Sequence, residues 1–599
     1  MAARPVTAYP ITVHPETLRH YALLADGERG ALVGPRGNVS FLCAPRWHDE
    51  AVLSDLVGGR GTYVVRPAEE RFVWGGSYEP GSLIWRSRWV VGAQVVETRD
   101  ALAYPGDRDR IVLLRRVEAR RGDARLSVLL DCRAGFGTER MRLRRTDGGV
   151  WWGRTGPLRL RWTGIPDDVE VDGGPDGSVY AELSVREGQH QDLVLEISTS
   201  ELDDDLPNVD RLWHRTEDGW DTAVPRNRDS IAPRDVEHSW AVLAGLTSHR
   251  GAMVAAATTS LPERSEAGRD YDYRYAWIRD QCFVGHAIAA AGGGDLLDSA
   301  VAFVRDRLLD DGPGLMPAYT VDGDPVPDQR ILDLPGYPGA PEVYVGNRVR
   351  GQFQLDAFGE ALLLFSAADR LDALDADGWK AAEAAVEAIT QRYQEPDAGI
   401  WELDARRWTH SRLTCAAGLR AAASRRPDRA AEWAGLADRI VADTSRDCVH
   451  PSGRWQRAPD DPDVDAALLL PAIRGAVPSD DPRSVATWRA VIDDLTDDGY
   501  VYRFRHEAGP LDVAEGAFLL CGFHLAIASH QQGDAYGAVR WFERNRGALG
   551  PPGLFTEEFD VVQRQLRGNL PQAFVHALLI ETAHTLSTDI SGSAHAQGF

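Results

Sequence analysis

The stretch RIVLLRRVEARRGDARLSVLLDC, residues 110–132, decides the fold of the first part of the chain. Apolar and charged side chains are interspersed on both sides of Arg121-Gly122-Asp123, and glycine beside aspartate is a common turn signal. The pattern therefore predicts two β-strands joined by a tight turn.

Segments on either side of this pair also predict strands. In LIWRSRWVV (83–91), Trp85 and Trp89 fall on one face, while arginines occupy the other. DLVLEIS (192–198) has the same character. Many short strands separated by Gly, Pro and Asp are typical of an antiparallel β-sandwich, which we expect over residues 1–200.

After residue 230 the apolar residues recur at helical spacing. Leu297, Val301, Val304 and Leu308, for example, would share one face of a helix. Further helices are predicted at 352–372, 377–394, 410–423, 429–443, 484–496, 513–530, 534–546 and 571–586.

So many helices, joined by loops of variable length, indicate a helical array or a closed helical barrel, expected over residues 233–599. Between the two parts, residues 201–232 are rich in Asp, Arg and Trp. This composition predicts a linker with one short helix near 207–221.

The composition is that of a globular protein with an acidic surface. Of the 599 residues 43% are apolar and 26% charged, and 66 Lys and Arg face 90 Asp and Glu, so the formal net charge is −24. Because this charge repels phosphate groups, nucleic acids and anionic membrane surfaces are not expected as partners.

The chain contains a single lysine, Lys380. It lies off the apolar face of a predicted helix and is expected on the surface. This excludes a phosphate-binding GK[ST] loop and leaves lysine-based covalent chemistry without a candidate.

No cofactor or metal is expected. The sequence lacks the HExxH, GxGxxG and GxSxG patterns of zinc, dinucleotide and nucleophile-elbow sites. Its six cysteines are scattered without a CxxC pair, which favours buried thiols over a disulfide framework or a zinc site: Cys43, Cys132, Cys282, Cys415, Cys448 and Cys521.

We expect a cytoplasmic protein. The first residues contain no apolar signal-peptide core, and the longest apolar run, near 517–528, is shorter than the about 20 residues of a membrane helix. The sequence leaves both a monomer and a homo-oligomer open.

Three loop segments combine the residue types that a sugar pocket needs. DYDYRYAWIRDQ (270–281) mixes aromatic rings with Arg and Asp, and these could stack on sugar rings and bind paired hydroxyls. GIWELDARRWTHS (399–411) places Trp401 beside Glu402, and an aromatic wall favours the protonated form of a carboxyl group.

The third segment, GLFTEEFD (553–560), holds Glu557, Glu558 and Asp560. Each segment taken alone also suits a structural role, such as a salt-bridge cluster or an acidic helix start. Together they supply two glutamates, Glu402 and Glu557. An inverting glycosidase needs such a pair, one acid for the leaving oxygen and one base for water, about 6.5–9.5 Å apart.

The chain resembles glycoside hydrolase family 15, the family of glucoamylases, glucodextranases and actinobacterial trehalases. The resemblance spans nearly the whole chain and includes, besides the three segments above, TTSLPE (258–263), GYPGAPEVYVGNRVRGQFQLDAFGEAL (336–362), YVYRFR (500–505), QLRGNLPQAF (565–574) and, more loosely, ALVGPRGNVSFLCAPRWHDEAVL (31–53). It implies an N-terminal β-sandwich followed by an (α/α)6 barrel.

The resemblance also implies a role for individual residues. Glu402 matches the general acid and Glu557 the general base. Arg279 and Asp280 match the pair that grips the hydroxyls of the non-reducing glucose.

Further positions match the wall of the same pocket. Trp277 and Trp401 would flank the sugar, Tyr273 would lie near the base and its water, and Gln572 would line the pocket. The chain departs from the family's usual residues at Gln281 and, in the first domain, at Ser40 and His48.

The predicted function is an exo-acting, inverting hydrolase that releases β-glucose from the non-reducing end of a short α-glucoside. Trehalose, maltooligosaccharides and isomaltooligosaccharides all remain open as substrates. Two alternatives also remain open: an inverting phosphorylase on the same barrel, and a carbohydrate-binding or regulatory protein without turnover.

Overall fold

The computed structural model describes residues 14–146, 149–174, 177–226, 229–264, 269–506, 511–513 and 515–596. The chain forms two compact units. The first comprises Met1–Thr222 and Asp333–Val343, and the second comprises Ala223–Leu332 and Tyr344–Phe599. Residues 1–13, which bear on the signal-peptide expectation, lie outside the described residues.

The first unit contains two eight-stranded antiparallel sheets. In chain order the strands are β1 (Ala22–Ala25), β2 (Gly30–Val33), β3 (Asn38–Cys43), β4 (Ala51–Leu53), β5 (Thr62–Pro67), β6 (Val73–Tyr78), β7 (Trp85–Val91), β8 (Gln94–Leu102), β9 (Arg110–Arg121), β10 (Ala124–Asp131), β11 (Arg142–Arg145), β12 (Trp151–Thr155), β13 (Leu158–Thr163), β14 (Val171–Gly173), β15 (Val179–Val185) and β16 (His190–Ser198). One sheet has the order β1-β2-β3-β5-β10-β15-β14, with β4 beside β3, and the other has the order β11-β12-β13-β16-β9-β8-β7-β6.

The predicted strands form as expected, and the turn at 121–123 has a specific role. It joins β9 to β10, which belong to different sheets, so the chain crosses here from one layer to the other. Trp85 and Trp89 of β7 are fully buried in the core between the layers, together with Trp162 of β13. The predicted β-sandwich is confirmed.

The segment predicted as a linker contains the helix α1 (Val209–Ala223). This helix packs on the sandwich: Trp220 stacks on Tyr104 at 4.0 Å between ring centroids, and Glu217 accepts a hydrogen bond from Arg99 at 2.6 Å. The residues of this segment up to Thr222 therefore belong to the first unit.

The second unit is helical. Its helices are α2 (Pro233–Leu246), α3 (Ile278–Ala290), α4 (Asp295–Asp311), α5 (Asp356–Asp369), α6 (Ala376–Arg392), α7 (Thr409–Arg425), α8 (Ala430–Asp447), α9 (Leu470–Ile473), α10 (Pro482–Asp494), α11 (Leu519–Gln531), α12 (Ala535–Arg546) and α13 (Ala573–Ala596).

The helices alternate between an inner and an outer ring. The inner helices α3, α5, α7, α9, α11 and α13 each pack on the next, and α13 packs back on α3 to close the ring. The outer helices α2, α4, α6, α8, α10 and α12 pack against the outside of this ring. The (α/α)6 barrel is thus confirmed.

The helical pattern failed to predict two inner helices, α3 and α9. In α3 nine of the thirteen residues are buried, so no amphipathic stripe marks it. The helix predicted at 513–530 begins only at Leu519, because Ala517–Phe518 form a short strand.

Short elements complete the second unit. The strands are β17 (Ala276–Trp277), β18 (Ala318–Tyr319), β19 (Arg330–Leu332), β20 (Val343–Val345), β21 (Thr496–Asp497), β22 (Tyr500–Val501), β23 (Ala517–Phe518), β24 (Glu558–Asp560) and β25 (Gln565–Arg567). Among the described helices, none has both the length and the apolar character needed to cross a membrane. All six cysteines are buried thiols.

Candidate active site

A cavity of about 400 Å³ opens in the second unit. Its walls come mainly from the loops that precede the amino ends of the inner helices α3, α5, α7, α11 and α13. The acidic residues that line it are Glu263, Asp270, Glu402 and Glu557. The ring therefore gathers side chains that lie far apart in the sequence.

Glu402 lies in a tight loop before α7. Gly399 and Glu402 both have positive φ angles, 68° and 56°, and the amide of Glu402 donates to the carbonyl of Gly399 at 3.2 Å. Buried Asp397 organises the loop, since its Oδ2 accepts from the amide of Gly399 at 2.9 Å and from the hydroxyl of Ser411 at 2.8 Å. Burial raises the pKa of Asp397 to about 8.

The protein contacts the side chain of Glu402 through one of its two carboxyl oxygens. Its Oε1 accepts a hydrogen bond from the indole nitrogen of Trp277 at 2.7 Å and lies 3.5 Å from Nη1 of Arg279. The side chain keeps 25% of its surface exposed. One carboxyl oxygen is thus engaged by the protein, while the group as a whole remains accessible.

Either of two adjacent residues, Glu557 and Glu558, could supply the second carboxylate. The local backbone directs their side chains to different places. Strand β24 begins at Glu558, and neighbouring side chains of an extended chain point in opposite directions. Glu557 lines the cavity. Glu558 is fully buried, and its Oε2 accepts from the amide of Gly516 at 2.7 Å.

Glu557 is nearly buried and lies in a charged environment. Its Oε2 accepts a hydrogen bond from the hydroxyl of Tyr273 at 2.9 Å. Burial raises the pKa of Glu557 to about 7, although Arg503, Arg279 and the hydrogen bond from Tyr273 act in the opposite direction.

An aromatic pair connects the two carboxyl groups. Tyr273, bonded to Glu557, meets Trp277, bonded to Glu402, in an edge-to-face contact with ring centroids 5.6 Å apart. The structure thus places both glutamates in one cavity. In each glutamate, one carboxyl oxygen accepts a hydrogen bond from an aromatic side chain.

Arg279 and Asp280 form a buried ion pair at the start of α3, with 3.0 Å between Nη2 and Oδ2. Arg279 lines the cavity, and its Nη1 donates to the carbonyl of Ile400 at 2.7 Å, which ties α3 to the Glu402 loop. Burial raises the pKa of Asp280 to about 6, and Arg279 opposes the rise.

The remaining predicted positions divide into two groups. Trp401 lines the cavity, and its indole nitrogen donates to Asp465 at 2.9 Å. Trp277, Asp280 and Gln572 are buried and are not among the side chains that line the cavity. Gln281, one of the departures, turns its amide toward the carbonyl of Met253 at 3.3 Å.

Sequence reasoning missed several charged residues that line the cavity, among them Glu263 and Arg503. Arg503 is buried and donates from Nε to Oε1 of Glu515 at 3.0 Å. Both lie inside motifs quoted for the family resemblance, TTSLPE and YVYRFR, and that membership was the available signal.

The arrangement suits acid–base chemistry on a neutral polar ligand. Two carboxyl groups with different surroundings, Glu402 and Glu557, meet one cavity that also carries aromatic rings and arginines, which suits hydrolysis of a glycosidic bond. Among the described residues, no group of three His, Cys, Asp or Glu side chains is arranged to hold a metal ion.

Two family models match the chain. The model described as Glycosyl hydrolases family 15 matches residues 243–584, which include the cavity. The model described as Trehalase-like, N-terminal matches residues 12–220, which form most of the first unit.

Individual relatives agree with these matches. A protein named trehalase from Mycobacterium tuberculosis is 30% identical over 94% of this chain and 88% of its own length. Another named trehalase, from Mycolicibacterium smegmatis, is 29% identical over 96% and 92%.

Among solved structures, a bacterial glucoamylase complexed with acarbose matches 96% of this chain and 95% of its own, with a TM-score of 0.71 at 14% identity. This last likeness concerns the fold. The family model that spans the cavity, together with the relatives aligned over nearly the whole chain, shows that the protein belongs to glycoside hydrolase family 15 and is an O-glycosyl hydrolase.

Proposed function

We propose that the protein is an exo-acting, inverting α-glucoside hydrolase that releases β-glucose from the non-reducing end of a short α-glucoside. The observation that supports this most directly is the pairing of Glu402 and Glu557 across one cavity, linked by Tyr273 and Trp277. Hydrolysis with inversion needs two carboxyl groups and a water molecule between them.

In this proposal Glu402 is the general acid. Its Oε1 is occupied by the indole of Trp277 and by Arg279, so the proton given to the leaving oxygen would be carried by Oε2. Protonation of that oxygen allows the bond to break without forming an alkoxide.

Glu557 is the general base. Its Oε2 accepts from Tyr273, which leaves Oε1 to take a proton from the attacking water. The water adds to the anomeric carbon from the face opposite the departing sugar, so the configuration inverts.

Arg279, Tyr273 and Trp401 would hold the non-reducing glucose, and Asp280 would act through its ion pair with Arg279. Arg279 faces both Asp280 and Glu402, so it can orient a sugar hydroxyl toward the reacting bond. Trp277 and Gln572 would act from behind the cavity wall, Trp277 by fixing Glu402.

Trehalose is the substrate that we propose first. The two relatives aligned over nearly the whole chain are named trehalase, and the first unit matches a trehalase-like domain model. We also keep the prediction of a cytoplasmic location, where a soluble disaccharide of this kind would be available.

A proton NMR time course with trehalose, maltose, isomaltose and panose, each with and without inorganic phosphate, tests this proposal. We expect β-glucose to appear before mutarotation, with the highest kcat/KM on trehalose and no need for phosphate. The leaving glucose of trehalose keeps its α configuration, so inversion gives one β-glucose and one α-glucose per trehalose. Release of α-glucose alone would contradict inversion, and glucose 1-phosphate formed only with phosphate would instead indicate the phosphorylase.

A further inference from the structure

Tyr273 lies between two carboxyl groups. Its hydroxyl oxygen is 2.9 Å from Oε2 of Glu557 and 3.3 Å from Oε1 of Glu263. Both glutamates line the cavity, but only Glu557 has a part in the proposed reaction.

The single hydrogen of the Tyr273 hydroxyl can be donated to only one of the two carboxyl groups at a time. A tyrosine hydroxyl has one hydrogen to donate, and it can also accept. If both carboxyl groups were ionised, only one of them could receive that hydrogen, and the other would place an oxygen against an oxygen. The shorter contact points to Glu557 as the acceptor, so the contact to Glu263 requires a proton on Glu263.

The charges around Glu263 agree with this assignment. The side chain is buried, and the charged and titratable groups that face it are Glu557, Glu558, Glu515, Arg503, Arg269, Tyr271 and Tyr273. Both arginines are engaged by Glu515, and among the described residues Glu263 has no ion-pair partner. Burial, and the negative charge of Glu557 after it, raise the pKa of Glu263 to about 8.

The side chains of Glu263 and Glu557 both pack close to the backbone of Gly568. Gly568 donates its amide to the carbonyl of Pro262 at 2.9 Å. A Cβ placed on Gly568 would lie 3.6 Å from Cγ of Glu263 and 3.9 Å from Cβ of Glu557. The loop 258–263 is fixed as well, since Ser260, at φ 57°, binds the backbone of Tyr344 through its hydroxyl.

We infer that Glu263 is a positioning residue: it carries a proton in the active form, donates it to the oxygen of Tyr273, and so commits the tyrosine's own hydrogen to Glu557. The inference rests on the proposed role of Glu557 as the base. Its consequence is that Oε1 of Glu557 stays directed at water while Glu263 remains protonated.

Infrared difference spectra at neutral pH locate the proton without any need for turnover. We expect one protonated-carboxyl stretching band of the wild type to be missing in Glu263→Gln and present in Glu557→Gln. In Tyr273→Phe the band should persist at a shifted frequency, because Glu263 has lost its acceptor. A band missing in Glu557→Gln and retained in Glu263→Gln would overturn the inference.

A pH profile supplies the second readout. α-Glucosyl fluoride is the suitable substrate, because fluoride leaves without a proton and Glu402 then does not set the alkaline limb. We expect wild-type kcat/KM to fall at least about threefold above the Glu263 pKa of about 8, as the ionised group competes for the tyrosine hydrogen.

In Glu263→Gln, a neutral donor of similar shape, that fall should vanish while the acid limb and the neutral rate stay within about threefold of wild type. The substitution should have no effect in a Tyr273→Phe background. An acid limb of Glu263→Gln displaced to lower pH would mean that Glu263 is normally charged, which contradicts the inference. Absence of wild-type turnover would count against the proposed function, whereas the infrared result concerns Glu263 itself.

Discussion

At the scale of single residues, Glu402 combines two unusual properties. Its φ of 56° is a conformation that residues other than glycine seldom adopt, and it costs of order 1–3 kcal/mol. Its carboxyl group is nevertheless held by Trp277 and Arg279. Such strain persists where the surroundings fix the conformation, and here they fix the direction of the proposed acid.

The two proposed catalytic glutamates should respond differently to the leaving group. Glu402→Gln should lower kcat/KM on trehalose by about 10²–10⁴-fold and recover much of the loss on α-glucosyl fluoride, whose leaving group needs no proton. Glu557→Gln should lose about as much on both substrates, because water must still be activated.

The control for this comparison is Glu558→Gln, which changes the adjacent buried carboxyl that bonds to Gly516. We expect its kcat/KM to remain within about tenfold of wild type on both substrates. A loss as large as that of Glu557→Gln would mean that the assignment of the base to Glu557 is wrong.

Sequence reasoning proposed Glu402 and Glu557 because each lies in a motif that resembles one of the family. It did not identify Glu263, since the relation of Glu263 to Tyr273 and Glu557 exists only after folding. Tyr273 and Glu557 are 284 positions apart in the chain. No spacing rule connects residues at that distance.

At the scale of elements, the loop before α7 depends on Gly399. A Cβ at Gly399 would lie 2.7 Å from the ring of Trp408, in addition to the strain of φ 68°. We expect Gly399→Ala to lower kcat/KM at least about tenfold, because the loop can relieve the clash only by moving Glu402.

Gly453 is the matched control for this loop. It has φ 87°, and a Cβ there would meet nothing within 4 Å. Gly453→Ala should therefore cost only about 1 kcal/mol of stability, measured by thermal unfolding, with kcat/KM unchanged. Equal kinetic effects of the two substitutions would show that the contact with Trp408 does not position Glu402.

The elements differ in how well a pattern predicts them. Strand β7 alternates between buried and more exposed positions, and the outer helix α8 buries one face, so the periodicity of both is visible. In the inner helix α3 nine of the thirteen residues are buried, and its sequence has no stripe to recognise.

At the scale of the whole molecule, the first unit depends on a core of large aromatic side chains. Trp162 is fully buried between the sheets and donates to the hydroxyl of Tyr63 at 3.1 Å. We expect Trp162→Ala to cost about 3–5 kcal/mol, seen as faster hydrogen exchange throughout strands β5, β9, β13 and β16.

Trp152 provides the comparison, because it is only partly buried, with the guanidinium of Arg161 5.1 Å from its ring centroid. Trp152→Ala should cost about 1 kcal/mol or less. Equal protection losses in both variants would contradict the assignment of Trp162 to the core.

The division of the chain into a sheet part and a helical part could be predicted from the change of period alone. The return of residues 333–343 to the first unit could not, because it depends on tertiary packing. Tyr337, for instance, donates from its hydroxyl to the carbonyl of Glu16 at 2.8 Å.

The closing contact of the helix ring, between α13 and α3, has a consequence for biosynthesis. While a ribosome is still translating the α13 codons, α3 has long emerged but lacks one of its two neighbours. Until α13 is made, the partly synthesised barrel therefore exposes an apolar seam beside α3, and such exposed surface favours aggregation.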